Sequence, residues 1–261
     1  MRAFLALCLM ASMTGPAPAG DDWSDPTPRP PVSGAEYLEP STRSLQEDDF
    51  QNPGFFALEA GQRLWSEPAG AAGASCAACH GADGSGLVGV AARLPAVDSG
   101  TGSLMNLEGH INRCRTERMQ ARPLEPESDD LLALATFVSH QSRGMPMSVA
   151  VDGPAAPFFE AGRALYFERR GQLDLACTQC HDALPGEKLR GDTISQGHVN
   201  GFPIYRIKWT SMGSRHRMFE WCNTSLRAEP FAYGGAEYLA LELYVAWRGN
   251  GLPIETPAVR R

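Results

Sequence analysis

Two short stretches carry the residue types for covalent and redox chemistry: Cys76-Ala77-Ala78-Cys79-His80 and Cys177-Thr178-Gln179-Cys180-His181. Both read C-x-x-C-H, the attachment pattern of c-type haem. The two-residue spacer lets one helical turn present both thiols to the vinyl edge of the ring. The adjacent histidine then reaches the iron from the same side. The expectation is two covalently bound c-type haems, attached at Cys76, Cys79, Cys177 and Cys180, with His80 and His181 each ligating an iron. A zinc site built from paired C-x-x-C motifs is the competing reading. It leaves both histidines without a role.

The opposite face of each iron decides between electron transfer and binding or catalysis. Methionine is the common partner, and Met105, Met119, Met145, Met147, Met212 and Met218 are available. Met145 and Met147 have Leu252 and Ile254 as counterparts in the second half, which cannot ligate. Methionine at such places is more often core or loop filler. Cys114 and Cys222 occupy matching places: one lies 23 residues before Phe137, the other 22 residues before Tyr244. That arrangement suits a thiolate ligand for each haem, and a thiolate pushes electron density onto iron. A Cys114–Cys222 disulfide is the alternative, open to any exported chain. His110, His140, His198 and His216 read as surface or hydrogen-bonded side chains, with His110 and His216 close enough to the two cysteines to compete as ligands.

The elements that must position these groups recur. Glu59-Ala60-Gly61 precedes Cys76, and Glu160-Ala161-Gly162 precedes Cys177, each glycine 15 residues ahead of its cysteine. Phe137-Val138 leads to Gly144-Met145-Pro146, and Tyr244-Val245 leads to Gly251-Leu252-Pro253 with the same spacing. Each half therefore reads helix, haem motif, irregular segment, closing helix. Apolar spacing places helices at Phe55 to Trp65, Asp129 to His140, Phe158 to Phe167 and Ala236 to Trp247. Acidic Ser128-Asp129-Asp130 suits a helix start. The expected fold is mainly α: two tandem cytochrome c-like domains with long irregular segments, related as an internal repeat. They span 55–148 and 158–261, with a Pro-rich linker at 149–157.

Arg2, the apolar stretch Ala3 to Met13 and the small residues Ala17-Pro18-Ala19 read as a secretory signal over 1–19. That apolar stretch is too short to span a bilayer, and no later run reaches the length of a membrane span. Cys8 would leave with the leader, so six of the seven cysteines remain. Residues 20–54 carry Pro, Ser and charge without periodicity. They read as an extended arm, either packed on a partner or disordered. The formal charge is −7 and no basic run resembles a nucleic-acid arm.

One stretch departs from this acidic balance. Arg206, Lys208, Arg215, Arg217 and Arg227 surround Cys222 along the chain. A basic pocket around a haem-linked sulfur favours a small anion and lowers a thiol pKa. A basic face that docks an acidic redox partner is the other reading.

The two C-x-x-C-H motifs, the paired Cys114 and Cys222, and Gly197-His198-Val199-Asn200-Gly201 through Lys208-Trp209 resemble the SoxA family. These are the dihaem subunits of the SoxAX cytochromes of bacterial thiosulfate oxidation. The resemblance runs from about Phe55 to the C-terminus. It implies a periplasmic heterodimer with a smaller monohaem cytochrome, SoxX. It also implies L-cysteine S-thiosulfotransferase activity: thiosulfate is coupled to a cysteine of the carrier protein SoxY, and electrons pass to a soluble cytochrome c. Carried over, Cys222 is the active-site cysteine, present as a persulfide, and ligates the second haem opposite His181. Cys114 ligates the first haem opposite His80. Many members place an arginine four residues before the active cysteine; here that position is Met218. Arg217, with Arg215 or Lys208, is then expected to hold the sulfonate oxygens, and Arg248 is a further candidate by position. A non-catalytic dihaem electron carrier or a dihaem peroxidase are the competing functions.

Overall fold

The protein is described here by a computed structural model covering residues 30–261. The expected leader, Cys8 and residues 20–29 of the arm lie outside the described residues. Among the described residues no helix is long and apolar enough to cross a membrane.

The chain order is α1 (Pro40–Glu47), α2 (Gly54–Ser66), α3 (Cys76–His80), β1 (Ala96–Val97), β2 (Leu104–Met105), α4 (Leu107–Glu117) and α5 (Asp129–His140), then α6 (Ala156–Phe167), α7 (Cys177–His181), β3 (Lys188–Leu189), β4 (Asp192–Thr193), β5 (Ile204–Arg206), β6 (Ser211–Gly213), α8 (Arg215–Ser225), α9 (Ala236–Arg248) and β7 (Ala258–Arg260). Strands β1 and β2 pair antiparallel, as do β3 and β4. A three-stranded sheet runs β6-β5-β7, with β5 antiparallel to β6 and parallel to β7.

The four helices expected from apolar spacing are present as α2, α5, α6 and α9. They pack as two crossed pairs, α2 on α5 and α6 on α9. Glycine permits both crossings. A Cβ on Gly61 would lie 2.1 Å from the carbonyl oxygen of Ala133, and one on Gly162 would lie 1.9 Å from that of Ala240. Ser128 caps α5 by accepting from the Leu131 amide, with Asp129 and Asp130 in the first turn, where the helix dipole favours negative charge. One apolar core gathers Trp65, Leu94, Leu107, Leu134, Phe137 and Val138. A second gathers Tyr166, Ile204, Leu243, Tyr244 and Val245, and includes Met147 and Val149.

Two further helices, α4 and α8, occupy the segments read as irregular. Both are polar, so apolar spacing does not announce them. Their signals are caps: Asn106 accepts from the Gly109 amide at 3.0 Å, and Ser214 accepts from that of Arg217 at 3.2 Å.

Within the segment read as an extended arm, a 3-10 turn spans Gly34–Tyr37 and α1 follows. This segment packs on the chain's own second half. The Val32 amide donates to Gln196 Oε1 (2.8 Å). Gln46 Oε1 accepts from the Val259 amide (3.1 Å), and Asn52 Nδ2 donates to the Pro257 carbonyl (2.8 Å). Buried polar side chains pair this way because an unpaired backbone group is costly.

Candidate functional site

Helices α3 and α7 are single turns whose residues are the two C-x-x-C-H motifs. Ser75 starts α3 by accepting from the Ala78 amide at 3.2 Å. A tight turn precedes each, closed by Ala69 with Ala74 and by Arg170 with Leu175. Backbone bonds tie these turns to the far ends of the polar helices. The amides of Ala71 and Ala72 donate to the carbonyls of Gln120 and Met119, both at 3.2 Å, just past α4. Those of Gln172 and Leu173 donate to Arg227 and Leu226, at 3.4 and 3.3 Å, at the end of α8. Gln120 and Arg227 both take positive φ, 52° and 56°, to turn these carbonyls toward the amides. These ties hold Cys114 near the first motif and Cys222 near the second. The electrostatics agree. Cys76 and Cys79 are the thiols that interact with Cys114, and Cys177 and Cys180 those that interact with Cys222. The six cysteines among the described residues are free thiols, so the Cys114–Cys222 disulfide does not form in this structure.

The donor set fits covalent haem. Each short helix offers two thiols one turn apart and a histidine directly after them. His181 Nδ1 lies 2.8 Å from the Ser195 carbonyl, which fixes the proton there and leaves Nε2 to ligate. Burial lowers the pKa of His181, keeping the ring neutral. Gly197 makes room beside it: at φ 77°, a Cβ there would stand 2.9 Å from the imidazole. Next to the first motif, Trp65 donates to the Gly81 carbonyl at 2.8 Å, and its ring lies 5.8 Å from that of His80. Tyr166 stands in the corresponding place of the second half and donates to Asp182 Oδ1 at 3.1 Å. Met119, Met147 and Met212 are buried among core side chains, as filler methionines are. His140 and His198 are hydrogen-bonded, to the Thr256 carbonyl (3.1 Å) and Gln196 Oε1 (2.8 Å).

Arg215 is 4% exposed and lies 2.9 Å from Glu242, itself fully buried. The two form a buried ion pair. Burying a guanidinium requires a buried carboxylate, and its sequence position beside Arg217 could not reveal that Glu242 lies opposite. Arg217 Nη1 donates to Ser211 Oγ (3.0 Å) and to the Met212 carbonyl (2.9 Å), with its guanidinium 4.3 Å over Trp209. Lys208 is exposed and pairs with Asp192. Arg248 pairs with Asp182 and lies 4.4 Å over Tyr166.

Arg206 belongs to the basic stretch and has no expected role of its own. Here it projects from β5 onto α8, where Nη1 lies 3.1 Å from Met218 Sδ. Met218 and Cys222 are one turn apart on that helix, hence on one face. Burial pushes the Cys222 thiol up to about 11, and the Arg206 guanidinium opposes this.

With both cysteine clusters placed, likeness to known proteins has a structural basis. The SoxA/TsdA cytochrome c domain model matches residues 60–147, a span that holds Cys76, Cys79, His80 and Cys114. The L-cysteine S-thiosulfotransferase subunit SoxA of Rhodovulum sulfidophilum is 43% identical over 87% of this chain and 79% of that protein. The chain belongs to the SoxA family. The SoxA subunit of Allochromatium vinosum is 34% identical over 88% of this chain and 82% of its own. The crystal structure of SoxXA from P. pantotrophus superposes with a TM-score of 0.86 at 42% identity, covering 88% of this chain and 87% of that one. A cytochrome c domain carries covalently bound haem, and within this SoxA-family chain that domain includes the first motif.

Proposed function

We propose that this chain is the haem-bearing subunit of an L-cysteine S-thiosulfotransferase, coupling thiosulfate to a cysteine of a carrier protein. The observation that carries this reading is the position of Cys222, a free thiol that α8 holds beside the second C-x-x-C-H motif. Residues 158–261 form a second cytochrome c-like domain, a repeat of 55–148 across the 149–157 linker. The shared glycine crossings and the shared ties to α4 and α8 support that repeat. Two haems are attached, at Cys76 and Cys79 and at Cys177 and Cys180. His80 and Cys114 ligate the first iron, His181 and Cys222 the second. The leader over 1–19 directs export to the periplasm. A smaller monohaem cytochrome of the SoxX kind is the partner, as the SoxXA likeness suggests.

The reaction joins the terminal sulfur of thiosulfate to a carrier thiol. One S–S bond forms, one proton leaves, and two electrons are released to a soluble cytochrome c. Cys222, as thiolate or persulfide, is the sulfur at which the two substrates meet. Ser195 orients His181 through Nδ1, and α8 fixes Cys222. The haems supply one-electron acceptance when bound.

The test uses the haem-loaded heterodimer with thiosulfate and carrier. Cys222→Ala is expected to abolish carrier modification read by mass spectrometry, while Cys114→Ala changes the first haem's spectrum and leaves coupling in place. Full coupling activity in Cys222→Ala would overturn the reading in favour of a dihaem electron carrier.

A further inference from the structure

We propose that Arg206 is the cation that binds the sulfonate of the anionic sulfur substrate at Cys222, a role that rests on the thiosulfate-coupling reading. The neighbouring cations have partners of their own. Arg215 is paired with Glu242, Lys208 with Asp192 and Arg248 with Asp182, while Arg217 gives Nη1 to Ser211 and the Met212 carbonyl and stacks on Trp209. Arg227 Nη1 donates to Gln172 Oε1 at 3.3 Å. Arg206 differs. Its closest carboxylate oxygen, on Asp192, is 3.8 Å away, and Lys208 and Arg261 share that carboxylate. Its Nε is buried and finds no partner among the described residues. Its Nη1 contacts a thioether sulfur, which is a weak acceptor.

A guanidinium that is 8% exposed and so poorly paired is costly unless an anion completes it. The surroundings hold it still for that purpose. Its carbon lies 5.1 Å from the ring centres of both Trp209 and Trp221, and Trp221 is the residue directly before Cys222. Through Met218, one turn before Cys222, the guanidinium sits on the helix face that carries the thiol. An oxyanion with a terminal sulfur suits this pair: its oxygens meet the planar N–H fork and its sulfur meets Cys222. Met218 leaves that space to a side chain arriving from the sheet.

The experiment measures thiosulfate KM and kcat for carrier modification in the haem-loaded heterodimer. Arg206→Gln is expected to raise KM by about tenfold to a hundredfold, the worth of a charge-assisted hydrogen bond. Haem content and the spectrum of the second haem stay those of the parent. Arg206→Lys keeps the charge without the fork and is expected to raise KM by a smaller factor; it decides the matter if Arg206→Gln fails to load haem. Met218→Arg added to Arg206→Gln restores the KM. An unchanged KM in the Arg206 variants overturns the assignment, and it does so separately from the coupling reading if Cys222→Ala is still inactive in the same assay.

Discussion

Asp98 and Arg113 show how charge is used beside the first cluster. Arg113 Nη1 lies 2.8 Å from Asp98 Oδ2, and the residue after it on α4 is Cys114. The Arg113 hydrogen bond, with those from Thr101, lowers the Asp98 carboxyl from 3.8 to about 2. A depressed carboxylate contributes stability above its unfolded value and loses it as pH falls through the folded one. The pair is therefore expected to hold α4 to the β1–β2 turn at all pH values above about 4, and to release it as pH falls toward about 2. A carboxyl titration by NMR checks this: the Asp98 midpoint rises toward the ordinary 3.8 in Arg113→Gln. A midpoint that does not move would remove Arg113 as the cause. At this same scale the sequence was informative for groups with fixed spacing and poor for groups paired across the fold. The motif cysteines and histidines needed no tertiary information. The pairing of Arg215 and the setting of Arg206 were not legible there, because neither Glu242 nor Met218 can be seen opposite them along the chain.

At the scale of elements, the two crossings depend on single glycines. Gly162 faces the Ala240 carbonyl with room for no side chain, and Gly61 faces that of Ala133. Alanine would gain about 1 kcal/mol of helix propensity but force the paired helices apart, a strain of about 1–3 kcal/mol or more. The clash with backbone decides the sign. Gly162→Ala is expected to lower the midpoint of urea melts of the haem-loaded protein followed by circular dichroism. A midpoint equal to the parent's would show that α9 shifts freely. The glycines were visible in the sequence as a recurring Glu-Ala-Gly, and so were the helices that carry them, because packed helices need an apolar stripe. Helices α4 and α8 leave no such stripe in the sequence. Their faces are polar, their caps are single residues, and much of what holds them is the backbone of a turn more than forty residues away.

The whole molecule is joined where the halves meet. Gly144 and Met147 amides donate to the carbonyls of Ile254 and Leu252 at 2.8 and 2.9 Å, so the two segments after the closing helices, counterparts in sequence, pair with each other. Deeper in, Glu242 of α9 accepts from Asn106 Nδ2 at the start of α4 (3.0 Å) and from Arg215 (2.9 Å). Glu242→Leu would leave Arg215 buried without its anion, a loss of about 3–5 kcal/mol. The expected outcome is a large drop in the urea midpoint of the haem-loaded protein; a drop under about 1 kcal/mol would mean that Arg215 finds water. The segment 30–53 adds a third join by running onto β7. By itself the sequence determined the family and the four apolar helices around the two C-x-x-C-H motifs, because motif spacing and helical packing follow local spacing. Only the tertiary structure decided where the N-terminal segment lies and which cations meet buried carboxylates. Those outcomes depend on partners distant in the chain, and a buried charge takes its role from whatever the fold places opposite it.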